Sequence, residues 1–385
     1  MPFTKAQHLD KAHGPKRILS LDGGGIRGYL TLQYLQSIET LLRERTGQAN
    51  LVLSDYFDLI GGTSTGAILA ATLACGMPVT DVQALYNQLG PEVFKQPRLH
   101  IPLLTPKFPA APLRQLLNER LGSDTTLDSN RVCTGLMVMT KRLDTGSPWP
   151  LHNHPNDPYA AQNGALNLAE IVRASTAAPT YFEPEPVDIH SRNGTVTKGA
   201  FVDGGVTPFN DPALQLLMQT AIEGYGFGWK QGADEILLIS IGTGTSKQLF
   251  STNRVMGMTA AEQGLRSLQS LMDDCARVNQ TMLQCITHCL TPWNIDRVVL
   301  DMRNDSQNGP KLATYVRYNV LLDPTWLQDK LKLTYAPDVL AQIAQMDNPK
   351  NLEQLGKLGK DAAAEQVKPE HFPSRFDLCR NEATP

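Results

Sequence analysis

A short apolar run that ends in a glycine-rich turn and passes directly into a helix constrains this chain more than any other feature. Residues 56–60 are typical of a strand and residues 67–74 of a buried helix, because their apolar runs have those lengths and flanks. The turn between them, residues 62–66, has the sequence GTSTG, which is a G-x-S-x-G. Such a turn presents its serine at the carboxyl end of a strand, beside the first amide groups of a helix. The pattern predicts that Ser64 is a nucleophile; a helix cap rich in serine and threonine is the alternative.

A second strand, loop and helix precede this turn. Residues 17–21 are typical of a buried strand, and apolar residues spaced by three and four between 32 and 42 indicate an amphipathic helix. The glycine loop between them, DGGGIRG at residues 22–28, contains a G-x-G-x-x-G. A dinucleotide site would need an acidic residue about 20 residues later at the end of a second strand. That distance falls at Glu39 and Glu44, inside or just beyond the helix, so an oxyanion hole is the favoured interpretation.

A carboxylate follows a third apolar run. Residues 201–206 have the sequence FVDGGV, which places Asp203 at a predicted strand end beside two glycines. Aspartate before glycine usually forms a turn, and the alternative is a general base at the edge of the sheet. Residues 235–241 form a further apolar run. Strands that alternate with helices predict a mainly parallel sheet covered on both faces, in which chemistry gathers at the carboxyl ends of the strands.

Composition limits the classes of function. The 385 residues are 41% hydrophobic, so the chain can bury a large core. The net charge of −3 gives no overall basic field, and we therefore expect no nucleic-acid partner. The sequence shows no signal-peptide pattern and no apolar run of membrane-spanning length, which predicts a soluble cytosolic chain. Six scattered cysteines without C-x-x-C spacing argue against a zinc site and a disulfide framework, and we expect no metal and no cofactor.

The blocks described above, in their order, resemble the patatin-like phospholipases. The matching blocks are residues 22–28, residues 62–66, residues 174–182 with their Ala-Ala-Pro, and residues 203–205. The resemblance runs from about Arg17 to Gly244. It implies a three-layer α/β/α fold with a mainly parallel central sheet. It also implies a serine lipid acyl hydrolase of the phospholipase A type, which cleaves acyl esters of glycerophospholipids without calcium.

The resemblance assigns a role to each motif residue. It implies that Ser64 is the nucleophile and that Asp203 is the base of a Ser-Asp dyad. The residues that it implies for the oxyanion hole are Gly23, Gly24, Gly25 and Arg27, and those that support the motifs are Gly62, Gly66, Gly204 and Gly205. The histidines agree with a dyad, since none of the eight stands in a conspicuous glycine-framed position. His288 follows Asp203 in the order of a Ser-Asp-His triad, but it falls in a predicted helix.

The predicted organisation has three parts. Residues 1–15 are expected to be a flexible arm, residues 16–248 a patatin-like hydrolase domain, and residues 249–385 a mostly helical region that packs on it. One long helical pattern covers residues 256–290 and shorter ones follow at 322–333, 339–346 and 351–358. The proline-rich residues 97–112 are either a long connection or a substrate-access flap.

The expected partners follow from these assignments. Membrane phospholipid is the substrate, and the cytoplasm, at the inner face of the membrane, is the predicted location. The helical region is interpreted as a cap or a homodimer face. A regulatory surface is the sharper alternative, because some bacterial patatin-like phospholipases are similar in being antiphage effectors activated by a cyclic nucleotide. A nucleotide-binding protein, a lipase and a lysophospholipase remain alternative functions.

Overall fold

A mixed sheet of nine strands extends from the first strand of the chain to its last third. The computed structural model describes residues 3–95, 105–246, 250–303, 305 and 309–378. Of the proline-rich passage over 97–112, residues 97–104 lie outside these ranges. The strands are β1 Lys16–Leu21, β2 Leu59–Thr63, β3 Gly135–Arg142, β4 Ser147–His152, β5 Glu185–His190, β6 Val196–Asp203, β7 Ile236–Ile241, β8 His288–Cys289 and β9 Thr314–Tyr318.

The sheet is mainly parallel, as the sequence predicts. The strand order is β5-β6-β3-β2-β1-β7-β9-β8, and β4 pairs with β3 outside this order. The strands from β3 through β2, β1, β7 and β9 to β8 all pair in parallel. The pairs β3–β4, β3–β6 and β5–β6 are antiparallel. Every residue of β1, β2, β7 and β9 is buried, as expected for a sheet that is covered on both faces.

Helices form the outer two layers. They are α1 Lys5–Leu9, α2 Gly28–Thr46, α3 Leu53–Tyr56, α4 Thr65–Ala74, α5 Val79–Val93, α6 Ala111–Leu121, α7 Ala160–Gly164, α8 Leu168–Ser175, α9 Ala213–Ala221, α10 Thr252–Met256, α11 Ala260–Ile286, α12 Pro324–Leu331, α13 Pro337–Ile343 and α14 Leu352–Gln366. In the described parts of the chain, no helix is both long enough and apolar enough to cross a membrane.

Two apolar cores lie on the two faces of the sheet. Successive side chains of a strand point to opposite faces, so neighbouring residues of β1 enter different cores. Leu19 and Leu21 belong to the core covered by α2, α4, α5 and α14. Ile18 belongs to the other core, which also contains Leu216 of α9 and Leu283 of α11. This arrangement is the three-layer α/β/α fold that the family resemblance implied.

The segment before β1 contains a helix, whereas the sequence predicted a flexible arm. Thr4 caps α1, and its side chain and that of Gln7 form reciprocal hydrogen bonds with the backbone. The ring of His8 is fully buried and its Nδ1 lies 2.8 Å from Oδ1 of Asp58. These contacts attach the start of the chain to the sheet.

The C-terminal region contributes strands as well as helices. Helices α12, α13 and α14 occur where the sequence predicts them, but the predicted helix over 256–290 is divided at Gly257 and ends at Ile286. His288 is therefore in a strand and exposed, not in a helix. β9, which the sequence did not predict, pairs with β7 and extends the central sheet. The C-terminal region thus completes the same sheet that carries the site.

Candidate active site

Ser64 occupies a strained turn between a strand and a helix. β2 ends at Thr63 and α4 begins at Thr65, so Ser64 is the single residue between them. Its φ of 55° and ψ of −122° are rare for a residue with a side chain. At Gly66 a β-carbon would lie 2.1 Å from the carbonyl oxygen of Leu21. Only glycine fits there, which explains the second glycine of the G-x-S-x-G.

The segment with Ala-Ala-Pro supports both predicted catalytic residues. The hydroxyl of Ser175 accepts a hydrogen bond from the amide of Ser64 at 2.9 Å and donates one to the carbonyl of Met139 at 2.7 Å. Two residues later, the carbonyl of Ala177 accepts a hydrogen bond from the amide of Asp203 at 3.0 Å. Residues 174–182 therefore hold the backbones of Ser64 and Asp203 in fixed positions relative to each other.

Asp203 reaches the site on an antiparallel strand, which corrects the route predicted from the sequence. β6 pairs with β3 in the antiparallel direction, and Asp203 is opposite Thr140. Asp203 is therefore not at the end of a parallel strand. It is the last residue of β6, which runs in the opposite direction and ends close to the carboxyl edge of the parallel strands. The turn that follows contains Gly204 and Gly205, and the amide of Gly205 donates to Oδ1 of Asp203 at 2.7 Å.

The surroundings of Asp203 make its carboxylate unusually basic. The residue is only 4% exposed, and burial raises its pKa from 3.8 to about 6. Three weaker effects oppose burial: a hydrogen bond from the Ser64 side chain, the Gly205 amide and the positive charge of Arg173. A carboxylate with a pKa of about 6 suits proton transfer near neutral pH.

The glycine loop approaches Ser64 at Gly23. A β-carbon on Gly23 would lie 3.2 Å from Cβ of Ser64. The Gly23 amide itself donates to the carbonyl of Asn210 at 3.0 Å, so it is not a free donor, contrary to its predicted role. Among the described residues, the amides of Gly24 and Gly25 have no protein acceptor. The amides of Gly24 and Gly25 are therefore available as donors, and their role in an oxyanion hole stays a prediction.

The end of the glycine loop is fixed by a distant part of the chain. Gly25 has a φ of 60°, and a β-carbon there would lie 2.2 Å from the carbonyl oxygen of Met346. The same carbonyl accepts a hydrogen bond from the amide of Ile26 at 2.8 Å. Residues just after α13 therefore determine where the loop lies.

Arg27 lies at the end of the glycine loop, and two of its three ionisable neighbours belong to other segments. Burial lowers its pKa to about 10, and Asp273, Tyr181 and Asp22 act in the opposite direction. Its Nε is buried and has no hydrogen-bond partner in the part of the chain that the structure describes. None of the described hydrogen bonds joins Arg27 to Ser64, and the oxyanion role of Arg27 stays a prediction.

The described histidines do not complete a triad. His8 is paired with Asp58, His152 lies 3.7 Å from Asp157, and His371 contacts Tyr318. His288 is exposed in β8 and pairs with the first residue of β9. None of the described histidines is a hydrogen-bond partner of Ser64 or Asp203.

The acidic residues required by the dinucleotide interpretation are used differently. Glu39 lies within α2, where its carboxylate accepts the amide of Val79 at 3.2 Å and pairs with Arg43 at 2.7 Å. Glu44 lies further along the same helix and is exposed. Neither residue follows a second strand, so the third element of that motif is absent at these positions.

Three residues that support the site were missed in the sequence. Ser175 holds the Ser64 turn, Asn210 accepts the Gly23 amide, and Thr243 donates its hydroxyl to the carbonyl of Gly23 at 3.0 Å. Gly62, which the sequence places in the turn, lies in the last part of β2, because this strand covers Leu59–Thr63 and not residues 56–60. No local pattern indicates these contacts, because their partners are more than 100 residues away in the chain.

A serine on such a turn, at the edge of an α/β sheet and beside free amides, is typical of serine hydrolases. Comparison with known proteins gives the family. The model of the patatin-like phospholipase family matches residues 19–217, more than half of the chain. The chain belongs to the patatin-like phospholipase family, and it is a lipid acyl hydrolase.

Bacterial and plant relatives support this assignment. The chain is 33% identical over 206 residues to a cGAMP-activated phospholipase of Escherichia coli, a match that covers 52% of this chain and about half (55%) of that protein. It is 30% identical over 356 residues to Patatin-17 of Solanum cardiophyllum and 28% identical over 359 residues to Patatin-03 of Solanum tuberosum. Each plant match covers 88% of this chain and 87% of the patatin.

Proposed function

We propose that this protein cleaves acyl esters of glycerophospholipids through a dyad of Ser64 and Asp203. The observation that carries the proposal is the buried carboxylate of Asp203, whose pKa burial raises to about 6 and the Ser64 side chain lowers. A nucleophilic serine needs an adjacent base, and none of the described histidines is in place to serve. Family membership supplies the class of substrate.

The reaction has two halves. Ser64 Oγ attacks the ester carbonyl while Asp203 takes its proton, and the amides of Gly24 and Gly25 stabilise the oxyanion. Asp203 then returns the proton to the leaving alcohol, which departs as a lysolipid. In the second half, Asp203 takes a proton from water, and the resulting hydroxide attacks the acyl-enzyme. The fatty acid leaves, and Ser64 recovers its proton from Asp203.

Control by a cyclic nucleotide is the finer part of the proposal. The Escherichia coli relative is described as activated by cGAMP, and it matches 52% of this chain. By this analogy a cyclic dinucleotide switches the enzyme on, and the activated enzyme degrades membrane phospholipid at the inner membrane face during antiphage defence. A homodimer formed through the C-terminal helices stays a prediction.

Fatty-acid release from mixed phospholipid vesicles in EDTA tests the dyad. The unmodified protein is compared with Ser64→Ala and Asp203→Asn, each with and without a panel of cyclic nucleotides that includes cGAMP. Matched controls are Ser191→Ala and Asp188→Asn, two exposed residues of the β5–β6 hairpin. We expect release from the unmodified protein and both controls, and none from the two dyad variants.

The outcomes separate the two parts of the proposal. Release at the unmodified rate from Ser64→Ala or Asp203→Asn contradicts the dyad. Equal release with and without every nucleotide contradicts nucleotide control but leaves the dyad intact. No release from the unmodified protein in any tube contradicts the choice of phospholipid as substrate.

A further inference from the structure

Three buried charged residues, of which one is the first residue of the glycine loop, contact one another, and the mechanism above does not use them. Arg317 of β9 donates from Nη1 to Oδ1 of Asp22 at 2.7 Å and from Nη2 to Oδ2 at 2.6 Å. Its Nη1 also lies 3.2 Å from Oδ2 of Asp211. The three residues are 3–6% exposed. We call Asp22, Arg317 and Asp211 the charge cluster.

The sheet itself aligns this cluster. Ser20, Ser240 and Arg317 are neighbours across β1, β7 and β9. Arg317 also donates to the hydroxyl of Ser240 at 2.6 Å, and that hydroxyl donates to Oδ1 of Asp211 at 3.1 Å. Although burial lowers it, the pKa of Arg317 is raised well above its ordinary value by the charges of Asp211 and Asp22, so the side chain stays a cation.

Both carboxylates of the cluster are attached to the glycine loop through the backbone. Asp22 directly precedes Gly23. Asp211 directly follows Asn210, whose carbonyl accepts the Gly23 amide at 3.0 Å and whose side-chain amide donates to the Gly23 carbonyl at 3.4 Å. Arg317 therefore holds the glycine loop at two points. One is Asp22, in the loop itself, and the other is Asp211, in the segment that hydrogen-bonds to Gly23.

We infer that Arg317 is a positioning residue for the reaction: by holding Asp22 and Asp211, it fixes the amides of Gly24 and Gly25 where the oxyanion forms. The inference rests on the proposed function. An oxyanion hole needs donors placed to within a few tenths of an ångström before the reaction starts.

The chemistry of arginine suits this role better than that of lysine. A guanidinium binds a carboxylate with two parallel hydrogen bonds and still has donors for a second acid, whereas an ammonium is a point charge. A buried ion pair adds little net stability, because desolvation of the charges offsets their attraction. The charge cluster therefore fixes the position of the glycine loop and adds little to the stability of the protein.

A second buried ion pair provides a matched control. Arg17 donates from Nε and Nη2 to the carboxylate of Asp58 at 2.9 and 3.0 Å, and both side chains are almost fully buried. This pair lies at the amino end of β1, five residues from Asp22, which is about 16 Å along the strand. Loss of Arg17 therefore removes a comparable ion pair without touching the glycine loop.

The test measures kcat and KM for vesicle hydrolysis in Arg317→Lys, Arg317→Met and Arg17→Met, with the folded fraction determined by thermal unfolding. We expect kcat per folded molecule to fall about 10²-fold in Arg317→Met and less in Arg317→Lys, with KM unchanged. Arg17→Met should lower the unfolding temperature but keep its kcat. If Arg317→Met does not fold, Arg317→Lys alone decides: a kcat equal to that of Arg17→Met overturns the inference.

A double variant separates positioning from stability. Asp22→Asn combined with Arg317→Met removes one of the two unpaired charges, so it should unfold at a higher temperature than Arg317→Met. If Arg317 positions the loop, kcat stays as low as in Arg317→Met. Recovery of kcat together with stability shows a purely structural role and overturns the inference. The proposed function fails separately, if the unmodified protein itself shows no release that depends on Ser64.

Discussion

Ser64 and Asp203 each depart from the ordinary state of their residue type. Ser64 has a backbone conformation that costs free energy, and Asp203 has a carboxylate that burial makes more basic. The glycine neighbours of Ser64 predicted a nucleophile from the sequence, whereas Asp203 was either a turn former or a base until the family resemblance implied the base. It did not predict the loss of Gly23 as a donor, since that depends on the position of Asn210, 187 residues away.

The raised pKa of Asp203 predicts the pH dependence of the reaction. Only the carboxylate can take the serine proton, so kcat/KM should be constant well above pH 6 and fall tenfold per unit well below it. Arg173 lowers this pKa, so Arg173→Met should move the midpoint to higher pH, whereas Arg173→Lys should not. A midpoint near pH 4, the ordinary value for aspartate, would contradict this account of the site.

At the scale of elements, local patterns predicted single helices and strands better than their directions. The strand at β1, the helix α2 and the transition into α4 follow from apolar spacing and flanking glycines. The antiparallel direction of β6 does not, because direction depends on the partner strand. β9 was missed because its sequence, TYVRY, is short and contains an arginine, which is rarely buried. Arg317 can be buried here because it pairs with Asp22 and Asp211.

Ser175, at the end of α8, connects α8 to the Ser64 turn and to β3. Ser175→Ala leaves the partly buried Ser64 amide without its acceptor, which costs about 1 kcal/mol of stability. The Ser64 turn should also shift, so we expect kcat to fall about tenfold or more. Thr220→Val is the control, because it removes an equally buried hydroxyl in α9. An equal kcat in both variants would show that Ser175 does not support the turn.

At the scale of the whole molecule, the site depends on residues beyond the segment that the family model matches. Residues 19–217 contain Ser64 and Asp203, but Thr243, Arg317 and Met346 all contact the glycine loop or Asp22 from later in the chain. The division at residue 248 predicted from the sequence therefore cuts through a shared sheet. The sequence did not predict the shared sheet, because most of the last third has helical patterns and β9 is a single short strand among them.

A truncated chain tests this dependence. A chain that ends at residue 246 lacks β8 and β9, exposes the apolar edge of β7 and loses Arg317. We expect it to aggregate or to lack activity, as judged by gel filtration and fatty-acid release. A chain that ends at residue 378 keeps every strand that the structure describes and should be active. A folded, active chain of 246 residues would show that the hydrolase domain is independent.

The most direct test of the dyad is to react the protein with a fluorophosphonate at pH 7.5 and to locate the adduct by mass spectrometry. We expect a single adduct on Ser64 and labelling that is about 10²-fold slower in Asp203→Asn, with Asp188→Asn labelled at the unmodified rate. An adduct on another residue, or an unchanged labelling rate in Asp203→Asn, would contradict the dyad.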